Sequence, residues 1–121
     1  MSAEALRWGD DGLLPVIVQD ANSKAVLTLA YANREALART LETRSTWLWS
    51  RSRRSLWNKG ETSGNVQRVV AVRYDCDADA LLYEVEPAGP ACHTGAVTCF
   101  HNVLAEHSGA GQVGSPGESA A

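Results

Sequence analysis

The chain has 121 residues, 45% of them hydrophobic, which points to one domain with a real core and excludes a disordered chain. Its formal charge of −3 provides no global basic field for nucleic acid. Residues 1–14 carry Glu4, Asp10 and Asp11 and no long apolar run, so they read as neither a signal peptide nor a transmembrane span.

A cytoplasmic, reducing setting is therefore expected. A domain of this size buries only about two-thirds of its unfolded surface, so a dimer interface or a metal would add stability. After a polar lead-in, residues 14–19 (L-P-V-I-V-Q) form a β-branched strand with Pro15 at its start. Residues 20–24 are a turn cluster, and residues 25–32 (A-V-L-T-L-A-Y-A) are the returning strand of an antiparallel hairpin. Asn33 is a good N-cap, Glu35 suits the positive end of a helix, and Leu37 and Leu41 share a face. These features predict a helix over 34–43 whose leucine face covers a sheet. Residues 46–50 (T-W-L-W-S) alternate as a strand, which Arg51, Arg53 and Arg54 continue. A polar loop with Gly60 and Gly64 follows over 56–65. Strands are expected at 68–74 and 81–86, and a strand or short helix at 97–104. Residues 108–121 have the composition of a flexible tail.

Every cysteine lies between residues 74 and 99: Cys76, Cys92 and Cys99, accompanied by His93 and by Asp75, Asp77 and Asp79 at alternate positions. An odd number of cysteines in a reducing compartment favours metal ligation or catalysis over disulfides. Three thiolates with one open position suit a catalytic zinc. A fourth ligand such as His93 would make the site structural, although its adjacency to Cys92 hinders that arrangement. Buried inert thiols are a third reading. If residues 75–79 are extended, the aspartates face one side and Cys76 the other, outward toward a subunit boundary. Three carboxylates suit magnesium; the plain alternative is a solvated acidic turn. His93 is either a satisfied turn residue or a proton-transfer group. Arg51, Arg53, Arg54 and Lys59 form either a solvated strand end or a phosphate-binding run. The G-E-T-S-G-N loop adds hydroxyls and backbone N–H groups, and Trp49 and Trp57 can stack on a base or belong to the core. No P-loop is present, and the H-x-E and P-C-x-x-C pattern of nucleobase deaminases is missing. The pieces suggest a zinc hydrolase for a small phosphorylated, ring-bearing substrate. The rivals are a non-enzymatic nucleotide-binding module with structural zinc, and another zinc amidohydrolase or deaminase of purines.

The run W-S-R-S-R, then L-W-N-K-G-E-T-S-G-N-V-Q, D-C-D-A-D-A-L-L, A-C-H-T-G and T-C-F, with the earlier V-L-T-L-A-Y-A-N-R-E-A-L, resembles the phosphoribosyl-AMP cyclohydrolase family of histidine biosynthesis over about residues 14–100. Ala32 and Thr98 depart from common family residues without touching a proposed ligand. The resemblance implies that water adds to C6 of the adenine ring of phosphoribosyl-AMP and that the N1–C6 bond opens. The product is the formimino aminoimidazole carboxamide ribotide. It implies one zinc per subunit on Cys76, Cys92 and Cys99, supplying zinc-bound hydroxide, and magnesium at Asp75, Asp77 and Asp79. It also implies a homodimer whose zinc sites take cysteines from both chains. His93 is the candidate to hand a proton to N1. Arg51, Arg53, Lys59, Glu61, Thr62, Ser63 and Asn65 are candidates for phosphate and ribose contacts. The expected architecture is an α+β fold, mainly antiparallel sheet with one or two short helices, in an intertwined homodimer. Residues 1–107 would form a single-activity catalytic domain, acting on a small molecule with no nucleic-acid or membrane partner.

Overall fold

The computed structural model describes residues 3–62 and 64–107, so the expected tail at 108–121 lies outside the described residues. A 3-10 turn, Ala3–Ala5, precedes strands β1 (Leu14–Asp20) and β2 (Val26–Ala32), helix α1 (Arg34–Thr43), strands β3 (Trp47–Ser50) and β4 (Ser55–Asn58), then β5 (Gln67–Tyr74) and β6 (Leu81–Pro87). Four strands form one sheet in the order β2-β1-β6-β5, and β3 and β4 form a separate ribbon. All pairings are antiparallel except β1 with β6, which run parallel with Val16 opposite Leu81 and Val18 opposite Tyr83. The α+β, mainly antiparallel expectation therefore holds. No helix among the described residues is long and apolar enough to cross a membrane.

The core follows from strand alternation. Leu14, Val16 and Val18 of β1 and Leu81, Tyr83 and Val85 of β6 point to one face and are buried together. On β6, Glu84 is held by Arg73 at 3.0 Å and Lys24 at 3.3 Å, and the Arg73 hydrogen bond leads in keeping its carboxyl below the usual range. Burial pushes the Tyr83 hydroxyl up to about 12, with the Thr40 hydroxyl beside it pulling the other way.

Helix α1 begins where Asn33 predicts. Asn33 Oδ1 accepts from the Ala36 N–H at 2.8 Å, and Arg44, left-handed at φ 60°, closes the C-terminus by donating to Thr40 O at 2.8 Å. The buried face is Ala36, Leu37 and Thr40, whereas Leu41 stays 54% exposed. The expected leucine stripe is thus rotated: the Thr40 hydroxyl accepts from the Trp47 N–H at 2.9 Å, which turns residue 40 rather than 41 inward.

Three expectations need correction. The basic run does not extend the strand: residues 51–54 form a turn, Arg54 N–H donates to Ser50 O at 2.7 Å, and the chain returns as β4. That turn requires a positive φ of 54° at Arg54, where no glycine or asparagine marks it in sequence. Residues 97–104 form neither strand nor helix. They are held instead through Thr98 and Cys99, whose hydroxyl and N–H bond Val26 O at 2.6 Å and Leu27 O at 2.7 Å. Residues 75–79 are a turn and not an extended segment, with Ala78 at φ 61°.

Replacing Asn33 by Ala removes one N-cap bond, an expected loss of about 1 kcal/mol. Thermal unfolding followed by circular dichroism should show a melting point about 4–8 °C lower, with an unchanged folded-state spectrum.

Candidate metal centre and ligand cleft

After β6 the chain doubles back over residues 91–97. Ala91 N–H donates to Val97 O (3.2 Å), Cys92 N–H to Ala96 O (3.1 Å) and Gly95 N–H to Cys92 O (2.9 Å). Gly95 sits at φ 92°, a conformation open to glycine and rarely to other residues. This loop and the Cys99–Leu27 bond make Cys92 and Cys99 neighbours, Cys92 buried and Cys99 partly so. The Cys92 thiol is pulled down to about 6, first by the Thr94 hydroxyl donating to its sulfur at 3.1 Å, then by the Thr94 N–H. Burial opposes this, and His101 and Cys99 add smaller contributions. These donors favour the Cys92 thiolate, the form that binds metals.

Cys76 is elsewhere, exposed in the turn that joins β5 to β6. In that turn Asp75 Oδ1 accepts from the N–H groups of Asp79 (2.9 Å) and Ala80 (3.2 Å). The carboxylates of Asp75, Asp77 and Asp79 converge to within 4.8 Å of one another, through turn geometry instead of strand alternation. Hydrogen bonding with Asp77 and then Asp75 pushes Asp79 up to about 6. At Asp75 desolvation raises the pKa, but the backbone bond from Asp79, the carboxyl contacts and the Ala80 N–H outweigh it and the net shift is downward. Three carboxylate oxygens gathered this closely are a donor set suited to a hard dication.

A cleft of about 320 Å³ opens beside Cys92 and His93, walled by Trp57, Lys59, Gly60, Thr62, Asn65 and Gly95. Gly60, at φ 90°, approaches so closely that a Cβ would overlap the Asn65 carbonyl, and a Cβ on Gly89 would overlap the Asn65 amide. Asn65 Nδ2 donates to Pro90 O at 3.3 Å, tying the polar loop to the cysteine loop. Lys59 Nζ and the Arg53 guanidinium lie 5.0 Å and 5.9 Å from the Trp57 ring centroid. Of the residues expected to contact a substrate, Lys59, Thr62 and Asn65 line the cleft with His93, and Arg53 lies beside it. Glu61 is exposed and is not among the residues lining the cleft, and Ser63 lies outside the described residues. Arg51 is not brought in: it stacks 3.8 Å from the Tyr31 ring and borders a different cavity, with Asp11, Asn33, Trp49 and Arg54. Sequence reasoning missed Thr94 and His101 at the Cys92 sulfur. The signal for both was spacing, two residues after Cys92 and two after Cys99.

The family model for phosphoribosyl-AMP cyclohydrolase matches residues 28–101. The chain is 62% identical over 99 residues to a phosphoribosyl-AMP cyclohydrolase of Archaeoglobus fulgidus, covering 82% of this chain and 92% of that protein. It is 60% identical over 98 residues to one of Pelotomaculum thermopropionicum, covering 81% and 76%. It is also 60% identical over 112 residues to the histidine biosynthesis bifunctional protein HisIE of Bacillus subtilis, covering 93% of this chain and 54% of that protein. The chain thus spans about half the length of the bifunctional relatives it matches.

Alkylation of metal-free protein by iodoacetamide, read by mass spectrometry, should show Cys92 reacting half-maximally near pH 6 and levelling off above it. Thr94→Val removes the leading hydroxyl donor and should move that midpoint upward.

Proposed function

The chain belongs to the phosphoribosyl-AMP cyclohydrolase family, and from that premise we propose that it opens the adenine ring of phosphoribosyl-AMP at the N1–C6 bond in histidine biosynthesis. The observation that carries this reading is the placement of the Cys92 thiolate and its neighbour Cys99 beside a cleft walled by Lys59, Trp57 and His93. Cys92 and Cys99 would hold zinc together with a Cys76 thiolate. Zinc bound there supplies a water of lowered pKa as the nucleophile.

Within one chain Cys76 cannot join that pair. Strand β6 separates the aspartate turn from the cysteine loop, and seven strand residues span roughly 20 Å. The reading therefore requires a homodimer in which Cys76 of one copy meets Cys92 and Cys99 of the other. Leu41, Val70 and Tyr74, exposed at 54%, 44% and 51%, supply apolar surface for a second copy to cover. The three carboxylates would hold magnesium next to Cys76, close to where substrate phosphate would lie.

The chain's own residues then divide the remaining work. Trp57 offers a ring face to the base, while Lys59 and the Thr62 hydroxyl offer a cation and a donor to phosphate. His93 holds the proton that N1 must gain when the C–N bond breaks. Arg51 and Arg53 remain candidates for phosphate, Arg53 from the rim of this cleft and Arg51 from its own cavity. Glu61, Ser63 and Asn65 complete the loop proposed to meet the ribose.

Purified protein given phosphoribosyl-AMP should show the ultraviolet change of ring opening without ammonia. Chelator should stop the reaction and zinc should restore it. Tight zinc without turnover would instead indicate a structural-zinc nucleotide binder, and ammonia release a deaminase. Cys99→Ala should lose both zinc and activity; full turnover in a zinc-free Cys99→Ala protein overturns the catalytic-zinc reading.

His93→Ala should retain zinc and the dimer while kcat falls by about 10²–10⁴-fold. An unchanged rate removes His93 from proton transfer.

A further inference from the structure

His101 has no part in the reaction as set out above, yet it touches the metal centre. It lies two residues beyond Cys99, and its Nε2 is 3.8 Å from Cys92 Sγ. The same sulfur receives the Thr94 hydroxyl at 3.1 Å. Two chemistries fit an imidazole in that position: a ligand sharing the ion with Cys92, or a donor to the sulfur itself.

The zinc reading favours the donor: three thiolates leave the fourth position to water, and a ligating His101 would close it. A tetrahedral zinc with bonds of about 2.0–2.3 Å keeps its donor atoms within about 4 Å of one another. Among the described residues, the aspartate turn is the group of three donors that closes to within 4.8 Å. Cys92, Cys99 and His101 are not such a group, although Cys92 and His101 taken alone are 3.8 Å apart.

The geometry points to His101 as a positioning residue of the metal centre, whose Nε2–H donates to the Cys92 sulfur alongside the Thr94 hydroxyl and holds it in ligating orientation. This inference rests on the zinc reading above. The physical need is clear: three thiolates on one dication leave excess negative charge on sulfur, and each N–H or O–H donor draws part of it away. A second donor from a different segment also fixes the Cys92 side chain against rotation. It ties the turn that carries Cys92 to the segment that follows Cys99, so both thiolates are set by one contact.

The test uses the full chain loaded with Co²⁺, which reports sulfur ligation through its sulfur-to-cobalt charge-transfer band. His101→Ala should weaken Co²⁺ affinity by about 10–100-fold in chelator competition. The charge-transfer band should move to lower energy while the visible d–d bands keep their four-coordinate pattern. His101→Gln carries an N–H of similar reach and should restore both affinity and band position. An Ala variant identical to the wild type overturns the proposal. A Gln variant as impaired as Ala, with altered d–d bands, also overturns it, because the imidazole is then a ligand. If the Ala variant does not fold, Gln decides alone: wild-type affinity and spectrum support the proposal, and their loss overturns it. A wild-type protein with no charge-transfer band overturns the zinc reading and this inference with it, whereas a wild-type band indifferent to residue 101 overturns this inference alone.

Discussion

Strand β6 is paired on both sides, parallel to β1 and antiparallel to β5, and its inward residues Leu81, Tyr83 and Val85 are buried against Val16 and Val18. A strand locked in this way does not bend. The aspartate turn precedes it and the cysteine loop follows it, so the two polar clusters are held a strand length apart. The apolar packing of one strand thus decides which chemical groups can meet within a chain. Cys92, Cys99, Thr94 and His101 gather at one end, and Asp75, Asp77 and Asp79 at the other, with Cys76 among them.

The two ends solve different electrostatic problems. At the aspartate turn, carboxylates of like charge are forced together; the turn tolerates this by bonding Asp75 to backbone N–H groups, and the crowding raises Asp79 to about 6. At the cysteine loop, O–H and N–H donors of Thr94 converge on one sulfur and favour its charged form. Hard oxygens collect at one site and soft sulfur at the other, which matches the division between magnesium-like and zinc-like ligation. Both donor sets are assembled by local backbone geometry: Ala78 at φ 61° in one turn, Gly95 at φ 92° in the other.

What could be read from the sequence was what local chemistry decides. Asn33 marked the start of the helix, and runs of β-branched and apolar residues marked β1, β5 and β6, because capping and strand burial act over a few residues. What could not be read depended on contacts distant in sequence. The β3–β4 ribbon closes through a left-handed Arg54, which no turn residue announces. Leu41 looked like core and is exposed because Thr40 bonds β3. The aspartates were read either as one face of an extended segment or as a solvated acidic turn; they lie in an exposed turn, whose backbone brings the carboxylates within 4.8 Å. His101 went unread despite its place two residues after Cys99, because its relevance lies in one contact with Cys92 across nine residues.

On the proposed reading, the spacing imposed by β6 also links metal binding to association. A chain alone offers two thiolates at the cysteine loop, and two hold zinc poorly beside the three or four of ordinary sites. The third would arrive only with Cys76 of a second copy, so each zinc bound would stabilise the dimer and each dimer formed would complete a zinc site. The same approach would carry the aspartate turn of one copy toward the cleft of the other. Lys59, Trp57 and His93 would then face Asp75, Asp77 and Asp79 across the interface, and a single phosphorylated nucleotide could reach both. On that reading, a rigid strand that keeps two half-sites apart within a chain would make the functional unit a pair of chains.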